Sequence, residues 1–295
     1  MMLRRLLGLS KHRAHDAIDA AHLRRTGTGA TVHTAENPGV RLWPDFVLHD
    51  EVAGVERAAR AAIADFGASH ILDPAHHAFF EKQHAWCEVP PTINMLRVTG
   101  RYEQETQPVA PWMHGDEFDA EHLPAELRAL AERIAADGAY DLGPLRDVTI
   151  NARHSHFFRL DAHVDPLKDG PNIFIVGLLS DTVLTLSERG PPDSTACDQE
   201  AVATRSWVPG RDVDVLLPRL ALCHLSGAAR DRLNHGIRPG CDAATLRRLR
   251  GADGADSDDD ATALDGAGAL ADWFGTPDHV VPRAPERISL VFAFG

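Results

Sequence analysis

The second half of the chain consists mainly of short apolar runs separated by turn-forming residues. The longest run, NIFIVGLLSDTVLTLS, starts at Asn172 and is almost continuously apolar, which is typical of strands that are covered on both faces. The runs DVDVLLPRLALCHLSG and RISLVFAF extend the pattern to the carboxyl end. Because a sheet must bury its apolar faces against another layer, these runs indicate a β-sandwich or a barrel.

Two amphipathic helices are predicted before these strands. The segment EVAGVERAARAAIADF places its apolar residues at helical spacing. In HLPAELRALAERIAADG, Pro124 lies near the start and Leu127, Leu130 and Ile134 form an apolar stripe. Helices followed by strands favour a mainly β domain of the α+β class.

Two segments have compositions that do not build a core. Residues 1–38 begin with the basic run MMLRRLLGLSKHRAH and continue with turn formers, so we predict a flexible extension there and a folded domain over residues 39–295. Residues 251–272 are mostly small and acidic. They predict a disordered insertion within that domain.

The composition narrows the classes of function. The formal net charge is −13, which argues against a strongly basic nucleic-acid-binding surface but not against a local basic groove. No apolar run reaches the ~18 residues of a membrane span, and the four widely spaced cysteines favour neither a disulfide framework nor a thiolate zinc site. We expect an intracellular protein, cytoplasmic or nuclear. The basic amino terminus is also typical of an organellar (mitochondrial) transit segment.

The stretch LDAHVDP contains half of a candidate metal site. Residues two apart on a strand point to the same face, so His163 and Asp165 are expected to project side by side. Leu160 and Val164 are then expected to face the other way. Taken alone the pair is weak evidence for a metal, because a buried histidine and aspartate often form a simple hydrogen bond.

A third candidate ligand, His235, follows a later strand-like run and precedes Gly236. Two histidines and one carboxylate form the facial triad of non-haem iron oxygenases, which leaves the remaining coordination positions open to other ligands. Imidazole with carboxylate suits Fe(II), although zinc or manganese can occupy the same ligands.

An arginine lies at the start of a segment that is otherwise predicted to be an apolar strand. Arg287 opens the alternating run RISLVFAF. Inside a barrel a guanidinium is costly unless it meets an anion, and its planar fork fits a carboxylate with two hydrogen bonds. The natural anion beside an iron site of this type is the distal carboxylate of 2-oxoglutarate.

The order H-x-D, then H-G-I, then R-x-S-x-x-F resembles the AlkB-like Fe(II)/2-oxoglutarate-dependent dioxygenases. The runs WPDFVLHDEVAG and VLLPRLALCHLSGAARDRLNHGI are also similar to segments of that family, and the resemblance covers most of Val40 to Phe294. It implies a double-stranded β-helix, or jelly roll, with the amino-terminal helices packed on its major sheet. It also implies that His163, Asp165 and His235 bind Fe(II), and that 2-oxoglutarate and dioxygen are co-substrates.

The same resemblance implies a cofactor site with two departures from the family pattern. Arg287 and Asn151 correspond to residues that bind 2-oxoglutarate. A second arginine is common six residues after the first, but that position is Ala293, and Arg153 stands where a tyrosine is expected. Arg153 or Arg159 could take the place of the missing second arginine.

The hairpin-like segment RVTGRYEQETQPVAPWM resembles the substrate lid of the family's nucleic-acid members. In that reading Arg97, Arg101, Tyr102 and Trp112 supply charge and stacking for a flipped base. The alternative is an ordinary edge hairpin whose aromatic residues pack on the sheet.

The family resemblance implies an enzyme that oxidatively demethylates or hydroxylates an alkylated nucleic acid or a protein. We expect it to be a monomer. Two other functions are kept open. A jelly-roll binding protein without turnover is favoured by Ala293. A mitochondrial-type protein-linked or fatty-acyl-linked oxygenase without nucleic-acid activity is favoured by the basic amino terminus.

Overall fold

The protein is described here from a computed structural model. The structure describes residues 22–66, 94–96, 113–114, 117–137, 140–154, 160–165, 167–188, 210–238, 240–251 and 269–295. No helix within these ranges is long and apolar enough to cross a membrane.

Most of the described strands lie in two antiparallel sheets. The strands are β1 Leu23–Arg25, β2 Val40–Trp43, β3 Asn94–Leu96, β4 Met113–His114, β5 Glu117–Phe118, β6 Leu145–His154, β7 Leu160–His163, β8 Asn172–Gly177, β9 Thr182–Glu188, β10 Val213–Leu217, β11 Leu222–Leu225, β12 Leu233–Ile237, β13 Ala271–Phe274, β14 Thr276–Pro282 and β15 Glu286–Phe294. The five-stranded sheet has the order β1-β10-β9-β12-β7, and the six-stranded sheet has the order β2-β11-β8-β15-β6-β3. Two small hairpins, β4-β5 and β13-β14, accompany them.

The two sheets share one apolar core. Leu186 and Val215 of the five-stranded sheet belong to the same buried cluster as Ile175, Cys223 and Ala293 of the six-stranded sheet. Burial on both sides explains the continuous apolar run through β8 and β9, because the other face of each sheet is covered too. The prediction of a mainly β domain is confirmed.

Two of the four α-helices among the described residues cover the outer face of the six-stranded sheet. Their apolar stripes, represented by Val55 and Leu127, form a second buried cluster with Phe174 and Phe292 of the sheet. This packing follows from the helical spacing of the apolar residues. The helices are α1 Val52–Phe66, α2 Ala125–Ala136, α3 Gly227–Asp231 and α4 Ala243–Leu249.

The folded part starts earlier than the sequence indicated. Strand β1 pairs with β10 in antiparallel register, and Leu23 and Val32 are buried in the core between the sheets. The predicted flexible extension is therefore wrong for residues 22–38. The turn formers around Thr26 to Ala30 connect this strand to the following segment, and they do not mark a disordered tail.

The acidic insertion is also shorter than predicted. Leu270, Ala271 and Asp272 lie at the start of the hairpin β13-β14 and are buried. Asp272 is acidic, yet it tolerates burial because it accepts hydrogen bonds from the buried Arg283. Gly251 is described, and the rest of the predicted insertion, residues 252–268, lies outside the described residues.

A buried ion-pair network joins this hairpin to the five-stranded sheet. Arg238 donates to both carboxylate oxygens of Asp214 on β10, at 2.8 and 3.1 Å. The guanidinium of Arg238 also lies over the ring of Trp273, 3.6 Å from its centroid. Arg283 donates to the backbone carbonyl of Arg238 as well as to Asp272. Four charged side chains are thereby paired in the interior.

His224 lies in an aromatic environment under the helices. Its ring stacks on Phe174 with 4.3 Å between centroids, and its Nε2 lies 3.0 Å from Oδ1 of Asn172. Among the described residues its Nδ1 has no hydrogen-bond partner. Burial, assisted by the charge of Arg41, lowers the pKa of His224 to about 3.

This lowered pKa predicts a loss of stability in mild acid. The unfolded chain binds a proton at His224 near the ordinary histidine pKa, whereas the folded chain resists it, so stability is lost as pH falls below about 6.5. His224→Phe should remove this component. Between about pH 7 and about pH 5 the free energy of unfolding of the wild type should fall by about 2 kcal/mol more than that of the variant. Urea denaturation of both proteins at each pH measures the difference, and parallel profiles would contradict the assignment.

Candidate metal centre

The first two candidate ligands lie at the end of β7, the last strand of the five-stranded sheet in the part of the chain that the structure describes. Strand β7 ends at His163, and Asp165 lies two residues beyond it. The register with β12 is irregular, since His163 is opposite His235 while Leu160 is opposite Ile237. Three steps along β7 thus match two steps along β12, which is a β-bulge.

The bulge corrects one prediction about this strand. Leu160 packs against the core cluster that contains Ile237, and it is therefore not on the face opposite to His163. Strict alternation fails because the extra residue reverses the side on which the following side chains point. The predicted meeting of His163 and Asp165 is nevertheless found, with Nε2 of His163 at 3.4 Å from Oδ1 of Asp165.

His235 reaches the same point from the middle of β12. Its Nε2 lies 3.7 Å from Oδ1 of Asp165, and its ring centroid lies 4.4 Å from that of His163. One ligand atom from each of these three residues lies within 4.8 Å of the others. The structure therefore brings together three side chains that are up to 72 positions apart in the sequence, from 163 to 235.

The donor set fits a divalent transition metal. An ion with bonds of roughly 2.1 Å holds neighbouring ligand atoms roughly 3 Å apart, and the separations from Asp165 Oδ1 are slightly larger than that. Two imidazoles and one carboxylate are the ligand types of the facial triad. The three residues could bind such an ion with small side-chain adjustments.

The electrostatics of the cluster favour the metal-binding forms of two ligands. Burial acts to raise the pKa of Asp165, but His235, His163 and Arg230 outweigh it and hold that pKa well below its usual range. Burial, together with His163 and Arg230, lowers the pKa of His235 to about 4. At neutral pH Asp165 is therefore ionised and His235 is neutral, as metal coordination requires.

The exposure of the ligands differs between the two sides of the cluster. The side chain of His163 is 37% exposed, whereas that of His235 is 6% exposed. His235 is enclosed by the sheet, because it pairs with Leu186 of β9 on one side and with His163 on the other. Among the described residues, the more exposed side of the cluster is therefore that of β7.

Arg230 is a residue near the cluster that sequence reasoning missed. It belongs to α3, it is buried, and its guanidinium donates to the backbone carbonyls of Gly170 and Asp165. The run LSGAAR gives no signal of this burial, because arginine side chains are mostly exposed in folded proteins.

The two residues predicted to bind 2-oxoglutarate lie on neighbouring strands of the six-stranded sheet. Arg287 is buried near the start of β15, and Asn151 on β6 is opposite Ser289, two residues further along. Cross-strand partners share a face of an antiparallel sheet, so Asn151 and Arg287 share one. Val291 and Ala293 continue that face into the core between the sheets.

Ala293 occupies an apolar position. It is 3% exposed and belongs to the core cluster between the sheets, opposite Ile173 on β8. The structure therefore places a small apolar side chain where the family resemblance would put a second arginine. Its partner strand β8 begins two residues after Gly170, the residue bonded to Arg230.

Several predicted residues lie outside the described residues. These are Arg97, Arg101, Tyr102 and Trp112 of the predicted substrate lid, and Arg159. For Arg153 the structure gives the backbone pairing with Arg287 on β15. The roles predicted for these residues stay predictions.

Comparison with protein-family models gives no match, and comparison with curated proteins gives none either. Among solved structures, the chain is similar to the structure of OsALKBH1, with 13% identity, a TM-score of 0.40, and coverage of 87% of this chain and 98% of that chain. It is also similar to the crystal structure of an oxidoreductase of the 2OG-Fe(II) oxygenase family from Burkholderia pseudomallei, with 12% identity, a TM-score of 0.38, and coverage of 87% and 84%. At scores this low the likeness carries no argument about activity.

Proposed function

We propose that the protein is an Fe(II)- and 2-oxoglutarate-dependent dioxygenase built on a double-stranded β-helix. The observation that supports this most strongly is the convergence of His163, Asp165 and His235 on one point. Such a ligand set leaves coordination positions open for a chelating co-substrate and for dioxygen. A purely structural metal site would be expected to be closed by protein ligands.

Each residue of the cluster has a role in this proposal. Asp165 contributes a charged oxygen ligand, and the two imidazoles contribute neutral nitrogen ligands. The buried His235 holds the interior side, while the more exposed His163 lies on the side from which a substrate would enter. Bound Fe(II) would supply the activation of dioxygen, so that one oxygen atom hydroxylates a substrate C–H bond and the other enters succinate as 2-oxoglutarate loses carbon dioxide.

We assign co-substrate binding to Arg287 and Asn151. Arg287 is a buried cation at the start of β15, and its fork suits the distal carboxylate of 2-oxoglutarate. Asn151 lies on the same face and offers an amide that can donate to a carboxylate.

Arg287→Ala should raise the 2-oxoglutarate concentration needed for half-maximal succinate formation at least about tenfold, since it removes a charge-assisted pair. Arg287→Lys is the matched variant, because it keeps the charge but loses the two-pronged contact, and it should lie between the alanine variant and the wild type. Titration of 2-oxoglutarate in a succinate assay measures both. An unchanged requirement in Arg287→Ala would rule out this role.

The reaction proposed is oxidative demethylation or hydroxylation of an alkylated nucleic acid or a protein. The net charge of −13 favours the protein, because a duplex binder neutralises several phosphates with basic side chains. A screen of succinate formation across methylated oligonucleotides, methylated peptides and no substrate separates the classes. Stimulation by one of the two polymers identifies the substrate class.

A second candidate function is a binding protein of the same fold without turnover. Ala293, buried among apolar side chains, favours it, because the arginine that the family resemblance leads one to expect is missing. Anaerobic loading with Fe(II) and 2-oxoglutarate, followed by oxygen, distinguishes the two candidates. An enzyme forms succinate, whereas a binding protein retains 2-oxoglutarate unchanged.

A further inference from the structure

Arg230 connects the segment that carries one candidate ligand to the strand that carries another. Its Nε donates to the carbonyl of Gly170 at 2.9 Å, and its Nη1 donates to the carbonyl of Asp165 at 3.0 Å. Arg230 belongs to α3, which ends at Asp231, and β12 with His235 begins two residues later. The guanidinium therefore bridges both ends of the turn after β7.

Strand pairing does not hold Asp165. Strand β7 ends at His163, and its register with β12 is already shifted by the bulge. The backbone of Asp165 thus lies beyond the regular hydrogen bonds that fix His163 opposite His235. The hydrogen bond from Arg230 to the Asp165 carbonyl supplies a fixed point in that place.

Gly170 and helix α3, which carries Arg230, are each held in place by the rest of the fold. Gly170 has φ of +94°, and a Cβ added to it would lie 2.1 Å from the carbonyl oxygen of Phe294, so the turn is pressed against the end of β15. In α3, Ala229 donates its backbone N–H to the carbonyl of Pro38 at 2.8 Å. Arg230 therefore joins two parts of the fold that have little freedom.

The choice of arginine at this position has a physical reason. A guanidinium that is 2% exposed costs free energy unless its donors are satisfied. Its planar fork can direct two N–H groups at two carbonyls in fixed directions, which a lysine ammonium or an apolar side chain of similar length cannot do. An arginine is thus suited to fixing the distance between two backbone points.

We propose that Arg230 is a positioning residue that fixes Asp165 relative to His235. This inference rests on the proposed function, since it assumes that these residues share one metal ion. Residues that orient metal ligands through hydrogen bonds typically change metal affinity by about 10–100-fold when they are replaced. Loss of the bridge would leave the Asp165 carboxylate free to move away from the two imidazoles.

The test measures Mn(II) affinity by calorimetry and the absorption spectrum of the Co(II)-loaded protein, which reports ligand geometry. Arg230→Lys retains the charge but lacks the rigid planar fork that holds both carbonyls, and it should bind Mn(II) about 10–100-fold more weakly with an altered cobalt spectrum. Arg283→Lys is the matched control, because Arg283 is also buried and also donates to a backbone carbonyl, that of Arg238. It should keep the affinity and spectrum of the wild type.

The outcomes separate this inference from the proposed function. If the wild type binds no Mn(II), or if His163→Ala binds it equally well, the metal site itself is wrong and the inference falls with it. If the wild type binds Mn(II) through His163 and Arg230→Lys matches it in affinity and spectrum, the positioning role is overturned and the metal site stands. If Arg230→Lys and Arg230→Gln both lose their far-ultraviolet circular dichroism, Arg230 serves the whole fold, and the positioning role is again overturned.

Discussion

Asp165→Ala should abolish the conversion of 2-oxoglutarate to succinate, with a loss of at least about 100-fold. The carboxylate of Asp165 lies 3.4 and 3.7 Å from the Nε2 atoms of His163 and His235. It is the candidate ligand that brings negative charge to a divalent ion. Without it, two imidazoles remain, which bind Fe(II) far more weakly. Metal content after anaerobic loading and succinate formation should therefore fall together.

The fold should survive this substitution. Asp165 lies outside the strands, and Arg230 bonds to its backbone carbonyl, which alanine retains. The thermal unfolding transition is the check on that expectation. A variant that keeps its transition and still turns over 2-oxoglutarate at the wild-type rate would show that Asp165 is not a ligand.

The chain offers a matched control for this experiment. Asp119 and His122 also form a histidine–aspartate contact, with 2.8 Å between Oδ2 and Nδ1, but the His122 side chain is 55% exposed. Asp119→Ala removes the same carboxyl group from the same type of pair. It should leave metal content and succinate formation unchanged.

Asp214→Ala should destabilise the protein by about 3–5 kcal/mol, the largest effect that we expect away from the metal site. Asp214 is fully buried and accepts two hydrogen bonds from Arg238. It also accepts from Thr26, Thr185 and the backbone N–H of Gly275. Removing the carboxylate leaves a buried guanidinium without its counter-charge and three further donors without their acceptor.

Urea denaturation measures this loss as a fall in the free energy of unfolding. The double variant Asp214→Leu with Arg238→Met should recover part of it, because apolar replacement of both partners removes the uncompensated charge. Glu56→Ala serves as the control, since the contact of Glu56 with Arg60 on the surface of α1 should contribute less than about 1 kcal/mol. A loss below about 1 kcal/mol for Asp214→Ala would contradict the role of the network.

Local patterns in the sequence predicted much of this fold. The spacing of Leu127, Leu130 and Ile134 corresponds to the buried side of α2, and the apolar run from Asn172 corresponds to β8 and β9. Both succeed because side-chain periodicity is set by the local backbone geometry. The pairing of distant histidines could be inferred from ligand chemistry and the family resemblance, not from periodicity.

The features that could not be predicted depend on contacts between distant residues. The bulge between β7 and β12 changes which residues face the core, and nothing in LDAHVDP marks it. Leu23 is buried through pairing of β1 with β10, nearly two hundred positions away in the chain. Asp272 is buried because Arg283 pairs with it. Composition cannot reveal such partners, because it describes each segment without the distant residues that pack against it.

Other predictions from the sequence remain to be tested. The monomeric state, the intracellular location and the alternative of an organellar transit segment at the basic amino terminus stay predictions. Size-exclusion chromatography with light scattering measures the first of these.

The most direct test of the metal site is a crystal structure of the protein loaded anaerobically with Fe(II) and 2-oxoglutarate, with anomalous diffraction recorded at the iron edge. One anomalous peak should lie within bonding distance of Nε2 of His163, a carboxylate oxygen of Asp165 and Nε2 of His235. A peak elsewhere, or one from which His235 is turned away, would contradict the proposed centre.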